Sequence, residues 1–172
     1  MRLERLYLES VLRTAGYKSH IYTSMKELGT THESYVAAIL REGESFTRSG
    51  SKITYEDQSG ARKKRRRLFE RQTRLKVVIG DASEEKCEET FARFLVQLGK
   101  GTPVDGNWVD IEVGDADWVE DKDSILKAKI AVEFQVIFHG GIYKDSILAE
   151  ADIGDVSVGH EEVRDNGSQE DR

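Results

Sequence analysis

Residues 126–139 read LKAKIAVEFQVIFH, and this stretch decides the fold more than any other part of the chain. Apolar residues at the even positions alternate with mostly polar ones, which is the two-residue period of a strand with one buried face. The apolar positions are Leu126, Ala128, Ile130, Val132, Phe134, Val136 and Phe138. At roughly 3.3 Å per residue the strand reaches about 40 Å, so we expect it to extend beyond its own sheet. Gly140-Gly141 is predicted to break it.

Upstream of this strand, residues 83–98 predict an amphipathic helix. Asp81 or Ser83 can cap its start, and Gly99 and Gly101 end it. Its apolar stripe consists of Cys87, Phe91, Phe94, Leu95 and Leu98. We expect a shared core, with one set of residues from the helix and another from the strand. That core set is Cys87, Phe91, Phe94, Leu95, Phe134 and Val136.

The remaining elements complete an α+β pattern. Residues 3–15 predict a helix that Gly16 ends, and residues 34–41 favour a strand over a helical turn. Residues 44–80 predict a long hairpin that turns at Gln58-Ser59-Gly60-Ala61, and residues 108–113 predict a further strand. The expected fold is a mainly antiparallel sheet with two helices packed on one face and a projecting β-hairpin. Residues 1–149 form its single domain, and residues 150–172 are predicted to be an acidic, mostly disordered C-terminal tail, with eight acids against two arginines.

The strongest electrostatic feature is a basic run in the return arm of the hairpin. Residues 61–76 carry nine basic side chains and one acid, a local charge of +8 within a chain of net charge −6. The run consists of Arg62, Lys63, Lys64, Arg65, Arg66 and Arg67, followed by Arg71 and Arg74. It fits a solvated hairpin, a contact with an acidic neighbouring subunit, or a contact with nucleic-acid phosphates. The first two interpretations are favoured, because no helix-turn-helix or aromatic-rich RNA motif accompanies the run.

Acidic residues cluster between positions 105 and 123. They lack the ordered spacing of an EF-hand loop, so a solvated or partner-facing acidic rim is the better interpretation. The residues expected to make electrostatic contacts with a partner are the basic run together with Asp110, Asp115, Asp117 and Glu120.

The sequence contains no recognisable catalytic or ligand-binding motif. Gly99-Lys100-Gly101-Thr102 follows a helix and precedes a strand, the wrong order for a phosphate loop. The four histidines have no metal-ligand spacing, and the single cysteine, Cys87, lies on an apolar stripe. We therefore expect no enzyme, no cofactor and no metal. No apolar run is long enough to span a membrane and no signal segment opens the chain, so synthesis in the cytoplasm is expected.

The order helix, hairpin, helix, strand, strand resembles the small tail-terminator and neck (head–tail joining) proteins of tailed bacteriophages and prophages. The strings that carry the likeness are RQTRLKVVIGD (71–81), DGNWVDI (105–111), DWVE (117–120) and FHGGIY (138–143). The likeness covers residues 1 to about 148 and is one of arrangement rather than of a diagnostic motif. The acidic tail departs from it.

The resemblance implies a structural protein of the virion tail or neck that forms a closed ring, usually a hexamer. Its implied partners are further copies of itself, the tail tube protein, a neck or head-completion protein and the sheath protein, with DNA passing through the ring. Two alternatives stay open. A nucleic-acid-binding accessory protein would use the basic hairpin 62–74, and an enzyme would need a pocket with strongly perturbed carboxylates.

Overall fold

The structure, a computed structural model, describes residues 2–120, 128 and 130–147. Within these residues it is α+β, with three helices and a seven-stranded, mostly antiparallel sheet, which confirms the predicted class and sheet type. The elements are α1 (Arg2–Thr14), β1 (Ile21–Tyr22), α2 (Met25–Thr30), β2 (Val36–Arg48), β3 (Lys52–Glu56), β4 (Arg62–Asp81), α3 (Glu84–Gln97), β5 (Gly101–Val104), β6 (Asn107–Glu120) and β7 (Ile130–Ile147).

The sheet is organised around two very long central strands. Its strand order is β1-β2-β4-β7-β6-β5, and β3 continues along the same side of β4 as β2. β4 and β7 pair antiparallel from Asp81 opposite Ile130 to Lys63 opposite Ile147. The 20 residues of β4 span about 66 Å at 3.3 Å per residue, far more than the core needs. Only β1 and β2 pair in parallel.

The sheet buries both faces at one end. On one face, Leu75, Val77 and Ile79 of β4 pack with β7 and with buried side chains of α1 and α3. On the other face, Val78 of β4 packs with a smaller cluster that includes Leu28 of α2. Each fully buried large aliphatic or aromatic side chain stabilises the fold by about 1.5–3 kcal/mol. This double burial explains why residues 36–40 and 77–80 are continuously apolar or small rather than alternating.

The stripe of α3 is narrower than the sequence predicts. Cys87 and Phe94 are fully buried, and Phe91 packs at the edge of the cluster. Leu95 does not join the core, since 38% of its surface is exposed. It follows Phe94 by one position, about 100° further around the helix, which carries it past the line of contact with the sheet. Phe134 and Val136 of β7 lie in the same buried cluster.

The prediction that Gly140-Gly141 breaks the last strand is wrong. β7 continues through both glycines to Ile147, and neither adopts a positive φ. A Cβ at Gly141 would lie 2.8 Å from the ring of Tyr143, and one at Gly140 would lie 3.3 Å from Val109. The two glycines therefore permit close packing on the strand instead of ending it.

Several other boundaries differ from the sequence-based ones. The strand expected at 34–41 runs to Arg48 through a bulge between Arg41 and Gly43, because its outer part pairs with β4. The strand expected at 108–113 runs to Glu120, since β7 supplies a partner along that length. The helix α2, where the pattern is weak, is a third helix that the two-helix prediction missed. Leu126 and the predicted tail, residues 150–172, lie outside the described residues.

Candidate functional site

The outer segments of three strands form a charged ribbon, defined here as Lys52–Glu56 of β3, residues 62–67 of β4 and residues 142–147 of β7. Its register is continuous, because β4 pairs with β3 on one side and with β7 on the other. No residue from 41 to 72 or from 139 to 147 is buried. The ribbon therefore lies outside both hydrophobic clusters and is rich in charged side chains.

Arg65 organises one face of the ribbon. Its Nε donates to Asp145 Oδ1 at 2.7 Å and its second terminal nitrogen donates to Oδ2 at 2.7 Å. The other terminal nitrogen donates to Asn107 Oδ1 at 2.7 Å, and the guanidinium lies 5.0 Å from the Tyr55 ring centroid. The hydrogen bonds from Arg65 hold the pKa of Asp145 down at about 2. The charge of Arg65 is thus matched inside the subunit.

The other cations on this face also have acidic partners. Lys63 Nζ lies 2.6 Å from Asp57 Oδ2, and the hydrogen bond from Lys63 holds the pKa of Asp57 well below its usual range. Arg67 lies 3.9 Å from Glu70, its nearest acid. Alternate residues of the basic run, Lys63, Arg65 and Arg67, are therefore each paired with an acid.

The opposite face of the ribbon carries more cations than acids. Arg62, Lys64 and Arg66 alternate with the paired residues and so point to the other side of the ribbon. Lys52 of β3 and Lys144 of β7 lie directly opposite Arg66, which gives a row of three cations across three adjacent strands. We call Lys52, Arg66 and Lys144 the cationic row. Within the described part of the chain, none of these cations forms an ion pair, although Glu56 lies opposite Arg62 in the register.

Arg71 belongs to a partly buried cluster at the base of the ribbon. It donates to Glu44 and lies 3.4 Å from Glu4, a carboxylate of α1 that is 2% exposed. Burial opposes ionisation of Glu44, but hydrogen bonds and charge from Arg71 outweigh it and lower the pKa of Glu44. This cluster joins α1 to β2 and β4, so Arg71 is engaged within the subunit. Arg74, in contrast, is half-buried beside Gly43.

One edge of the sheet is acidic and open. β5 covers β6 only along Asn107–Asp110, so from Glu112 to Glu120 no other described strand pairs with the outer side of β6. Asp115, Asp117 and Glu120 are exposed along this edge, and Asp110 accepts a hydrogen bond from Trp108 Nε1 at 2.9 Å. Open backbone donors and acceptors make such an edge a template for another strand.

The same edge carries uncovered apolar surface. Val113 and Trp118 lie opposite Val136 and Val132, on the face that carries the larger core cluster, yet 37% and 42% of their surfaces are exposed. The Trp118 ring packs edge-on against Phe91, with centroids 5.9 Å apart. Leu95 of α3 adds a further partly exposed side chain. This edge, residues 112–120, therefore combines apolar side chains, acids and free backbone groups.

The other edge of the sheet carries a cleft lined by arginines. β1 covers β2 only at Ala37 and Ala38, so no strand of the described residues pairs with the outer side of β2 beyond them. A cleft of about 320 Å³ opens there, with buried Ile39 and Leu75 among its lining residues. Its basic residues are Arg2, Arg5 and Arg41. Arg5 and Arg41 each have one acid nearby, at 3.5 and 3.8 Å.

Sequence reasoning found part of this arrangement. It identified the basic run and the acidic rim, but it treated the run as one block, whereas β alternation divides it between two faces. It missed Lys52 and Lys144, which are isolated in the sequence and join Arg66 only through strand pairing. The arginine cleft was also missed, because α1 and β2 bring its residues together from positions far apart in the chain.

Cys87 has the surroundings of a core residue. Its thiol donates to the Ile79 carbonyl oxygen at 3.3 Å, and burial raises its pKa to about 11. A thiol so far from ionisation is a poor nucleophile at neutral pH. In the residues that the structure describes, no group of three His, Cys, Asp or Glu side chains is placed to hold a metal ion, and no helix is long and apolar enough to cross a membrane.

A scan against protein-family models and a search of curated proteins both found no match to this chain.

Proposed function

We propose that this chain is a structural subunit of a bacteriophage or prophage tail. It assembles head to tail into a closed ring, a hexamer by analogy with the tail-terminator and neck proteins that it resembles, and the ring caps the tail tube and joins it to the neck or head. The subunit has no catalytic role, and its place is the virion tail or neck after synthesis in the host cytoplasm.

The observation that carries this proposal is the difference between the two open edges of one sheet. A head-to-tail ring requires two unlike, complementary patches on each subunit, because rotation brings one face of a copy against a different face of the next. The acidic β6 edge and the arginine-lined β2 edge lie on opposite sides of the sheet. Subunits joined in this way repeat the same contact around the ring.

The chemistry of the two edges is complementary. The β6 segment Asp115-Ala116-Asp117-Trp118-Val119-Glu120 offers carboxylates on both sides of an exposed indole. The cleft of the neighbouring copy offers three arginines beside apolar side chains. Burial of Trp118 and backbone pairing would supply most of the affinity, since exposed ion pairs contribute only about 0–1 kcal/mol each. Charge would set register and association rate.

The ribbon supplies a second contact in this proposal. Two helices packed on one face leave the outer parts of β3, β4 and β7 to project from the body, so the ribbon reaches toward the tail tube, sheath or neck protein. Support comes from the absence of buried residues along 41–72 and 139–147. In this role Arg62, Lys64 and Arg66 meet an acidic partner, while Arg65 stiffens the ribbon from its other face.

Native mass spectrometry across protein concentration tests the ring. We expect a closed oligomer for the wild type and a shift to monomer for Trp118→Ala, or for Asp117→Lys combined with Asp115→Lys. Trp108→Ala is the matched control: Trp108 is also an exposed tryptophan of β6, but it lies where β5 covers the strand. Higher salt should slow assembly without dissolving a formed ring. Wild-type protein that stays monomeric with purified tail tubes present would refute the proposal.

The unpaired cations of the ribbon favour one alternative, a nucleic-acid-binding accessory protein that uses the basic hairpin 62–74. That function requires retention of DNA that weakens steeply with salt, because released counterions drive such binding. Reversing Arg62, Lys64 and Arg66 to glutamate should abolish retention in that case. A chain that retains no DNA at low salt, even with the acids of residues 150–172 neutralised, would exclude the alternative.

A further inference from the structure

The cationic row lacks an acidic partner within the described part of the chain, although the opposite face of the same ribbon has one for each cation. Lys52, Arg66 and Lys144 lie in direct register on strands about 4.7–4.9 Å apart. Like charges directly opposite each other on a sheet are destabilising. With Arg62 and Lys64 the face carries five cations, and Glu56 is the single acid that the register places among them. This face therefore favours contact with a negatively charged group from outside the ribbon.

The sequence supplies negative charge close to the row. Ile147 of β7 lies opposite Lys63 and three residues beyond Lys144, about 10 Å along the strand. The chain then enters residues 150–172, which contain eight acids and two arginines and so carry a net charge of −6. Glu150 and Asp152 follow Ile147 by only three and five positions. The acidic segment is thus attached at the end of the ribbon where the unpaired cations lie.

We propose that the acidic segment, residues 150–172, binds the cation-rich face of the ribbon in the free subunit, with the cationic row at the centre of the contact. Attachment through a few residues gives the segment an effective concentration of about the millimolar range at the row. Several weak ion pairs then act together, although each alone contributes little. The contact is electrostatic and specifies no backbone conformation for the segment.

This contact makes the acidic segment a competitor for any anionic partner of the ribbon. An acidic protein surface or a nucleic acid must displace the segment before it reaches Arg66. The segment therefore suppresses premature binding and releases the cations when a stronger anionic surface arrives. The proposal concerns one subunit and does not depend on ring formation.

Zero-length carbodiimide cross-linking of the full chain at low salt, mapped by mass spectrometry, tests the contact. We expect the acids of residues 150–172 to join Lys52, Lys64 and Lys144, and these cross-links to disappear at high salt. Lys86 is the matched control, since it is an exposed lysine at the Asp81 end of β4, far from the ribbon. Cross-links at Lys86 as frequent as those at the row, or none at the row, would overturn the proposal.

A second measurement detects the competition itself. Replacing the eight acids of the segment with Gln or Asn should tighten binding of a fluorescein-labelled oligo(dT) by about tenfold at low salt, because the tethered competitor is gone. Net charge is controlled by comparing two replacements of equal size, Glu161, Glu162 and Asp165 of the segment against Glu84, Glu85 and Glu88 of α3. The α3 replacement should change affinity much less. Equal effects of the two replacements would show that the segment acts through net charge without occupying the row.

Discussion

Arg65 and Asp145 lie directly opposite each other on β4 and β7, 80 positions apart in sequence, and are joined by two parallel hydrogen bonds of 2.7 Å. A bidentate guanidinium–carboxylate pair fixes both distance and orientation. The pair therefore adds to the backbone pairing of β7 with β4 beyond the hydrophobic core, where no residue of β7 from 139 to 147 is buried. It also removes Arg65 from the set of cations that are free to contact a partner.

This pair predicts a specific pH dependence. The folded-state pKa of Asp145 is depressed to about 2 by Arg65, below its ordinary value of 3.8. Its contribution to stability is therefore fully present above pH 3.8 and is lost as pH falls toward 2. Asp145→Asn should remove that contribution, so the difference in unfolding free energy between wild type and variant should shrink across this range. Urea unfolding followed at several pH values measures it, and a constant difference would contradict the assignment.

The core contacts of α3 predict a graded response to truncation. Phe94 is fully buried and its ring centroid lies 5.3 Å from that of Phe134, so Phe94→Ala should cost about 3–5 kcal/mol. Phe91 is only partly buried, although its ring centroid lies 4.9 Å from that of Phe134. Phe91→Ala should therefore destabilise the protein less than Phe94→Ala. Leu95→Ala is the control and should cost below about 1 kcal/mol. Chemical denaturation of the three variants checks the order, and a large loss for Leu95→Ala would contradict this packing.

Gly80 predicts a steric effect in the sheet. A Cβ there would lie 2.8 Å from Ala128 Cβ and 2.9 Å from Val36 Cγ2, closer than carbon atoms pack. Gly80→Ala should therefore destabilise the protein by about 1–3 kcal/mol. Gly50→Ala is the matched control, since nothing lies within 4 Å of its added Cβ. Equal melting temperatures for the two variants would show that β2 and β4 can move apart around the added Cβ without loss of stability.

Cys87 predicts slow thiol chemistry. Its burial and raised pKa of about 11 leave little accessible thiolate at neutral pH. Labelling with a maleimide should be at least about a hundredfold slower in native protein than in denaturant, because reaction requires local opening. Quenching the reaction at several times and measuring the mass of the intact protein gives the labelling rates of the native and the denatured protein. Fast labelling of folded protein would mean that α3 separates readily from the sheet.

Local sequence patterns predict the elements near the core well. The alternation of residues 130–138 and the spacing of Cys87 and Phe94 each encode a buried face, and both sets are buried. These signals are local because the period of a strand or helix depends only on its own residues. Leu95 shows what periodicity does not predict, since it lies on the apolar stripe of α3 and is still partly exposed. Periodicity predicts which side of a helix faces the core, but how many residues of that side are buried depends on the shape of the sheet against which the helix packs.

The sequence by itself determined an α+β chain with a mainly antiparallel sheet, a buried cysteine and separate basic and acidic segments. Only the tertiary structure decided that β7 continues through Gly140-Gly141, because the neighbouring Arg71 and Glu70 of β4 supply the pairing that two glycines alone do not favour. It also decided which basic residues are free. Strand pairing joins Arg65 to Asp145 and places Lys52 and Lys144 beside Arg66, and such long-range pairing leaves no trace in local periodicity.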